Sequence, residues 1–279
     1  MIEFPESRHL AAQIQENLLG KTVQNVTTNK SPHKFAWFHG DPAEYHGKLA
    51  GKAISGTNAY GGMPEIVLGD ARLVFCDGTN LRYFAPGAKL PDKHQMHIEF
   101  EDGASLVCSV QMYGAMFLMD GSDDDEGYYL TAKTKISPLS EKNTEAYFFE
   151  LMNGVKQNYS VKAFLATEQR YPGLGNGVLQ DILFNARMNP RRKLETLAQR
   201  EKEAVYQSLK QTLSAMTAAG GRDTEKDIFG QPGGYKTMLS AKTLQYPCPV
   251  CGGGLVREAY LGGNVYYCPV CQPKEGTPK

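Results

Sequence analysis

The tetrapeptide Cys-Pro-Val-Cys occurs twice near the end of the chain, as Cys248–Cys251 and Cys268–Cys271, with 16 residues between the copies. Each C-x-x-C turn presents two sulfurs on one knuckle, and two knuckles at this spacing make a tetrahedral thiolate site for one Zn²⁺. Four sulfurs leave no coordination position for water, so the metal is structural, and a zinc ribbon is expected over 243–274. Disulfides are the competing use of such cysteines. Glu3 and Glu6 stand where an export signal places basic and then apolar residues, so the expected location is the cytoplasm, where thiols stay reduced. Cys76 and Cys108 fall in strand patterns and read as small buried hydrophobes.

The remaining chain is long enough for further domains: 279 residues, 41% hydrophobic and 22% charged. Its longest charge-free stretch, Gly103 to Met119, falls short of the roughly 20 apolar residues that span a bilayer, so no membrane partner is expected. Leu10, Ile14 and Leu18 recur at four-residue spacing and predict one amphipathic helix ended by Gly20. Short β-rich runs follow at Glu65–Leu68, Leu73–Cys76, Gln95–Phe100 and Ser105–Phe117. Cys76-Asp77-Gly78 and Glu101-Asp102-Gly103 read as the turns between them. The expectation for 1–122 is an antiparallel β-sandwich with one helix packed on it.

The acidic stretch 120–127 has nothing to bury and is expected to hold a hinge. Helices are predicted at Asn143–Met152, Val161–Thr167, Gly177–Ala186 and Leu194–Ala219, forming a helical domain over 140–240. Gly230 to Gly234 reads as a flexible loop. The fold class is therefore α+β and multidomain, ending in the zinc ribbon.

The net charge of zero hides an asymmetry. Residues 1–150 hold 13 basic and 20 acidic side chains, and residues 151–279 hold 17 and 10. A basic second half points to a polyanion or to solvated helix faces, and charge alone does not choose between them.

The stretch Tyr171-Pro172-Gly173-Leu174-Gly175-Asn176 ends one helix and opens another. Its glycines permit positive φ and close backbone approach, and the next helix offers free N–H groups to an anion. A plain glycine cap between helices explains the same residues.

Taken together, three features resemble the family of formamidopyrimidine-DNA glycosylase and endonuclease VIII. They are the start Met1-Ile2-Glu3-Phe4-Pro5-Glu6, the Gly173-Leu174-Gly175-Asn176 turn with Leu183-Phe184 and Pro190 beyond it, and the closing Cys268-Pro269-Val270-Cys271-Gln272. The resemblance implies a helix-two-turns-helix element, one structural Zn²⁺ and damaged double-stranded DNA as the partner of a monomer near the nucleoid. Gly175 and Asn176, with Lys162, look like the phosphate-gripping part of that element. Glu3 resembles the carboxylate that works on the deoxyribose and leaving base, and Glu6 matches the same motif. Gln111-Met112-Tyr113-Gly114 looks like the wedge that fills the space of a flipped base. A turn in a buried strand is the alternative for those four residues.

Departures gather at the catalytic positions. The family's nucleophile is the amine of an N-terminal proline; Ile2 stands there, which leaves the amine of Met1 as its substitute. The family's strand lysine falls within Tyr60-Gly61-Gly62-Met63, and its zinc-finger arginine falls at Gly263. The expected function is a base-excision DNA glycosylase with doubtful strand-cleaving lyase activity. The alternative is a lesion-binding protein without chemistry. The loop Asp227–Tyr235 is expected to shape the base pocket.

Overall fold

The computed structural model describes residues 1–120 and 127–275. The expected hinge at 120–127 falls largely on 121–126, which lie outside the described residues. Two compact units form: Met1–Leu130 with Ala219–Gly234, and Thr131–Ala218 with Tyr235–Lys279. The sequence-based grouping of 140–240 thus differs at 219–234, which packs with the first unit.

The first unit opens with α1 (Phe4–Leu18), which has Pro5 in its first turn, where a missing N–H costs nothing. Leu10, Ile14 and Leu18 are buried, each worth about 1.5–3 kcal/mol of transfer free energy. Gly20, at φ +79°, lets the chain turn off the helix. Then come β1 (Val23–Thr28), β2 (Ala36–Phe38), α2 (Tyr45–Leu49), β3 (Gly56–Tyr60), β4 (Met63–Leu68), β5 (Ala71–Phe84), β6 (Met96–Phe100) and β7 (Ser105–Met119). The seven strands make one sheet in the order β1-β6-β7-β5-β4-β3, with β2 added parallel to β7.

Side chains of the β1/β6 side, such as Val26 and Ile98, share one hydrophobic cluster with Ile66 and Leu68 of β4. The two halves therefore face each other across a common core, joined by the long strands β5 and β7, as a sandwich requires. Cys76-Asp77-Gly78, expected as a turn, lies inside β5, where the register slips between Asp77 and Thr79. Asp77 has φ 55°, so turn chemistry here makes a bulge rather than a chain reversal. The buried Cys76 and Cys108 thiols are pushed up by desolvation, as small core residues should be.

Helix α3 (Gly127–Thr134), which no periodicity flagged, leads to the second unit. That unit contains α4 (Glu145–Asn153), α5 (Val161–Ala166), α6 (Asn176–Asn185), α7 (Gln199–Ala218) and the hairpin β8 (Val256–Ala259) with β9 (Asn264–Tyr267). Helix α4 starts later than expected because Thr144 Oγ1 caps the Tyr147 amide at 3.2 Å. Buried Asn143 instead bonds Pro138 O and the Tyr171 hydroxyl. The predicted Leu194–Ala219 helix is broken into a short 3₁₀ turn at Leu194–Thr196 and α7. At the break Glu201 accepts the Ala198 amide and is gripped by Arg192 through two nitrogens, at 3.1 and 3.0 Å.

Candidate functional site

In the first unit the chain start is clamped by a segment more than 200 residues away. Gly220-Gly221, which stops the preceding helix, turns the chain so that Arg222 points at α1. Arg222 donates from Nε to Glu6 Oε1 at 2.9 Å and from Nη2 to Glu6 Oε2 at 2.8 Å, and its own amide donates to Oε1 at 3.0 Å. Glu6 Oε2 also accepts the Glu3 amide at 3.1 Å, so both Glu6 oxygens are taken up in holding the turn. Arg222 Nη1 lies 3.6 Å from Glu3 Oε2. All three side chains are buried. Burial would raise the Glu6 carboxyl, but the Arg222 charge and hydrogen bonds outweigh it and hold Glu6 below the usual carboxylate range. Burial pulls the other way on Arg222, and the charges of Glu3 and Glu6 overcome it, so the guanidinium stays charged.

The first two residues are engaged as well. Ile2 packs its side chain into the core and donates its amide to Asp77 O at 3.0 Å. The Met1 ammonium meets the Glu225 carboxylate, and the Met1 carbonyl accepts from Arg222. The crossing is tight: a Cβ on Gly233 would collide with the Gly221 backbone. The stretch expected as a flexible loop at Gly230–Gly234 is thus pinned in part. The loop from Asp227 is pinned too, by Gln13 and Arg82, and Ile228 is wholly buried.

Gln111, Met112 and Tyr113 form the outer side of the bulge on β7. Between the pairs Thr79↔Val110 and Asp77↔Gly114, these three residues face Gly78 alone. Their surplus length pushes Met112 outward until it is 66% exposed, so they are not a turn in a buried strand. Glycine is required at both ends. A Cβ on Gly78 would strike the Tyr113 carbonyl, and one on Gly114 would lie 3.0 Å from Thr79. The Tyr113 hydroxyl lies 3.8 Å from the Met1 sulfur, and burial and the charges of Asp77 and Glu3 push its pKa up.

In the second unit Lys162 and Asn176 meet the tip of the β8–β9 hairpin. Lys162 is 1% exposed; its Nζ donates to Tyr260 O at 2.6 Å, and burial lowers its pKa. Asn176 opens α6 behind the extended Gly175, and a Cβ on Gly263 would run into its amide. Glycine at 263 is what lets the tip close on the helix N-terminus. Gln180 fixes the same hairpin through Asn264 O and the Tyr266 amide.

The four cysteines converge, with all Sγ atoms within 4.8 Å of one another. Cys248 and Cys271 are 3.8 Å apart and Cys251 and Cys268 3.5 Å, close to the roughly 3.8 Å edge of a tetrahedron with metal–sulfur bonds of about 2.3 Å. The amides of Gly253 and Cys271 point at sulfurs at 3.4 Å, the donors a thiolate set needs. Gln272 anchors this end by bonding the Cys268 amide and Met188 O. Sequence reasoning missed Arg222 and Glu225; the only trace of the first was an arginine directly after a helix-stopping Gly-Gly pair.

No family model matches the chain. It is 26% identical over 284 residues to the formamidopyrimidine-DNA glycosylase of Cytobacillus firmus, covering 98% of this chain and 100% of that protein. To the enzyme of the same name from Bacillus anthracis it is 25% identical over 280 residues, with the same coverage. Among solved structures, Lactococcus lactis Fpg bound to DNA containing an abasic site superposes with a TM-score of 0.82 at 21% identity, over 98% of this chain and 100% of that one. MutM (Fpg) from Thermus thermophilus gives 0.81 at 22% identity, over 99% and 100%. The chain shares their fold from end to end.

Proposed function

We propose that this chain, a divergent relative of the formamidopyrimidine-DNA glycosylases, is a base-excision repair glycosylase that binds damaged duplex DNA, flips the lesion and cleaves its N-glycosidic bond. The observation that carries this reading is similarity to those enzymes over 98% of the chain, joined to a buried Glu3 held in a fixed setting at the chain start. Relatives solved with abasic-site and formamidopyrimidine-containing DNA support damaged DNA as the ligand.

Glu3 is the acid/base. The bond from sugar C1′ to the base nitrogen breaks, the nitrogen leaves with a proton, and a nucleophile bonds to C1′. That nucleophile is water activated by Glu3 or the amine of Met1, which must first leave Glu225 and lose its proton. Arg222 and Glu6 are positioning residues. They hold Glu3 by its amide and carboxylate in a buried site where the charge of Arg222 is little screened. Met112 and Tyr113 fill the space that the flipped base vacates. Lys162, Asn176 and the amides opening α6 take backbone phosphates, contacts that place DNA without reading sequence. Cys248, Cys251, Cys268 and Cys271 hold one Zn²⁺, which ties the two knuckles together and supplies no reactive site. No helix among the described residues is long and apolar enough to cross a membrane. A DNA substrate supports a location at the nucleoid, in the cytoplasm.

The test offers duplexes carrying a formamidopyrimidine, an oxidised pyrimidine or an abasic site, with base release and borohydride trapping as readouts. The expected result is release of at least one modified base and its loss in Glu3→Gln. Tight lesion binding with no release from any duplex would make the chain a lesion-binding protein instead.

A further inference from the structure

Strand β2 is a sheet edge whose outward face breaks the usual rule. Ala36 and Phe38 point inward and pack against the core, so the alternate positions should be polar. They are Phe35, 46% exposed, and Trp37, the only tryptophan of the chain, 48% exposed. Large aromatics left this open cost hydration free energy and mark a binding surface more often than a solvated one. The rings form a continuous line: His33 to Phe35 at 6.4 Å, Phe35 to Trp37 at 6.3 Å, and Trp37 to Tyr113 at 6.4 Å. Its last member belongs to the β7 bulge, so the stripe runs up to exposed Met112.

The segment that carries the stripe is basic although the first half of the chain is acidic. Residues 29–39 contain two lysines, two histidines and no carboxylate, within a first half that carries a net excess of acid. Lys34 lies over the Phe35 ring at 5.3 Å, and Lys30, earlier in the same segment, is exposed. Open ring faces interleaved with cations are the chemistry that binds unpaired nucleotides, bases on the rings and phosphates on the lysines. A paired duplex keeps its base faces stacked inside and presents only their edges, so it does not use such a surface. A hydrophobic protein partner has no need of the cations.

The geometry points to Phe35 and Trp37 as a stacking platform for a single-stranded segment of DNA continuous with the wedge. The assignment rests on the repair reading above and extends it: beside a lesion in a bubble or fork this chain also holds the unpaired strand.

Because Trp37 is alone, its fluorescence reads the platform directly. The protein is titrated with single-stranded oligothymidine, with a bubble duplex and with a fully paired lesion duplex, as wild type and as Phe35→Ala. Phe35 is half exposed, and its bond to the wedge, from the Gly114 amide to the Phe35 carbonyl at 2.9 Å, is made by the backbone and survives the substitution, so the variant folds. Expected are quenching of Trp37 by oligothymidine and about a tenfold loss of oligothymidine and bubble affinity in Phe35→Ala, with paired-duplex affinity changed by less than about twofold. Unquenched Trp37, or equal oligothymidine affinity in the two proteins, overturns the platform even if base release proceeds. Trp37 buried by self-association without DNA also overturns it, in favour of a second copy as occupant. Quenching by oligothymidine without release of any modified base keeps the platform and removes the repair reading.

Discussion

Arg222 and Glu6 meet side-on, Nε to Oε1 at 2.9 Å and Nη2 to Oε2 at 2.8 Å, while the remaining guanidinium nitrogen stays within 3.6 Å of Glu3. One cation thus serves two buried carboxylates, and removing it takes the paired charge from Glu6 and a nearby charge from Glu3.

Arg222→Met should destabilise the first unit by about 3–5 kcal/mol, because the buried Glu6 carboxylate loses its paired charge. Pairing it with Glu6→Gln should recover part of the loss. Urea unfolding followed by Trp37 fluorescence checks this; equal stability of wild type and Arg222→Met would refute the buried clamp.

The pH dependence follows from the same pair. Glu6 is held below its ordinary value of 4.5, so its contribution is fully present above that value and drains away as the pH falls through the lower folded value. Wild type should therefore lose more stability than Glu6→Gln between neutral and acid pH, read as the difference in Tm. Parallel Tm curves for the two proteins would contradict it.

On the bulge, size and exposure predict opposite outcomes. Gly78→Ala forces a Cβ into the Tyr113 carbonyl and should cost more than about 2 kcal/mol. Met112→Ala, at an exposed site, should change stability by less than about 0.5 kcal/mol yet slow release of a flipped base. Thermal melts and single-turnover base release separate the two effects.

For the metal site, purified protein should carry one zinc per chain. Cys271→Ser should lose it, together with the packing of Cys248 and Cys268 on Phe184 and Leu239. Metal analysis and lesion-duplex affinity are the readouts. Full zinc content in Cys271→Ser would argue against four-sulfur coordination.

Lys162→Met tests the phosphate role against a structural one. If the ammonium leaves Tyr260 O for DNA, the slope of log affinity against log salt should fall by about one. An unchanged slope would make Lys162 only the post on which the hairpin rests.

Much of this architecture was legible before any coordinates, because it rests on local rules. Leu10, Ile14 and Leu18 needed only helical spacing, and the cysteine knuckles only their repeat and the chemistry of thiolates. What misled was chemistry with two uses. Cys76-Asp77-Gly78 has the composition of a turn and serves as a bulge, since positive φ satisfies either role. Thr144 and Glu201 moved helix starts that periodicity alone placed too early.

Sequence by itself determined the four-sulfur site, the amphipathic faces of α1 and α7, and Glu3 as the residue to watch. Tertiary structure alone decided that Arg222, 216 positions from Glu6, closes on the chain start, that Gly263 admits the hairpin to Asn176, and that Phe35, Trp37 and Tyr113 line up. The physical reason is range. Periodicity and metal chemistry act over a few residues, whereas an ion pair across a glycine crossing or a stripe shared by two strands exists only once the sheet has set its register.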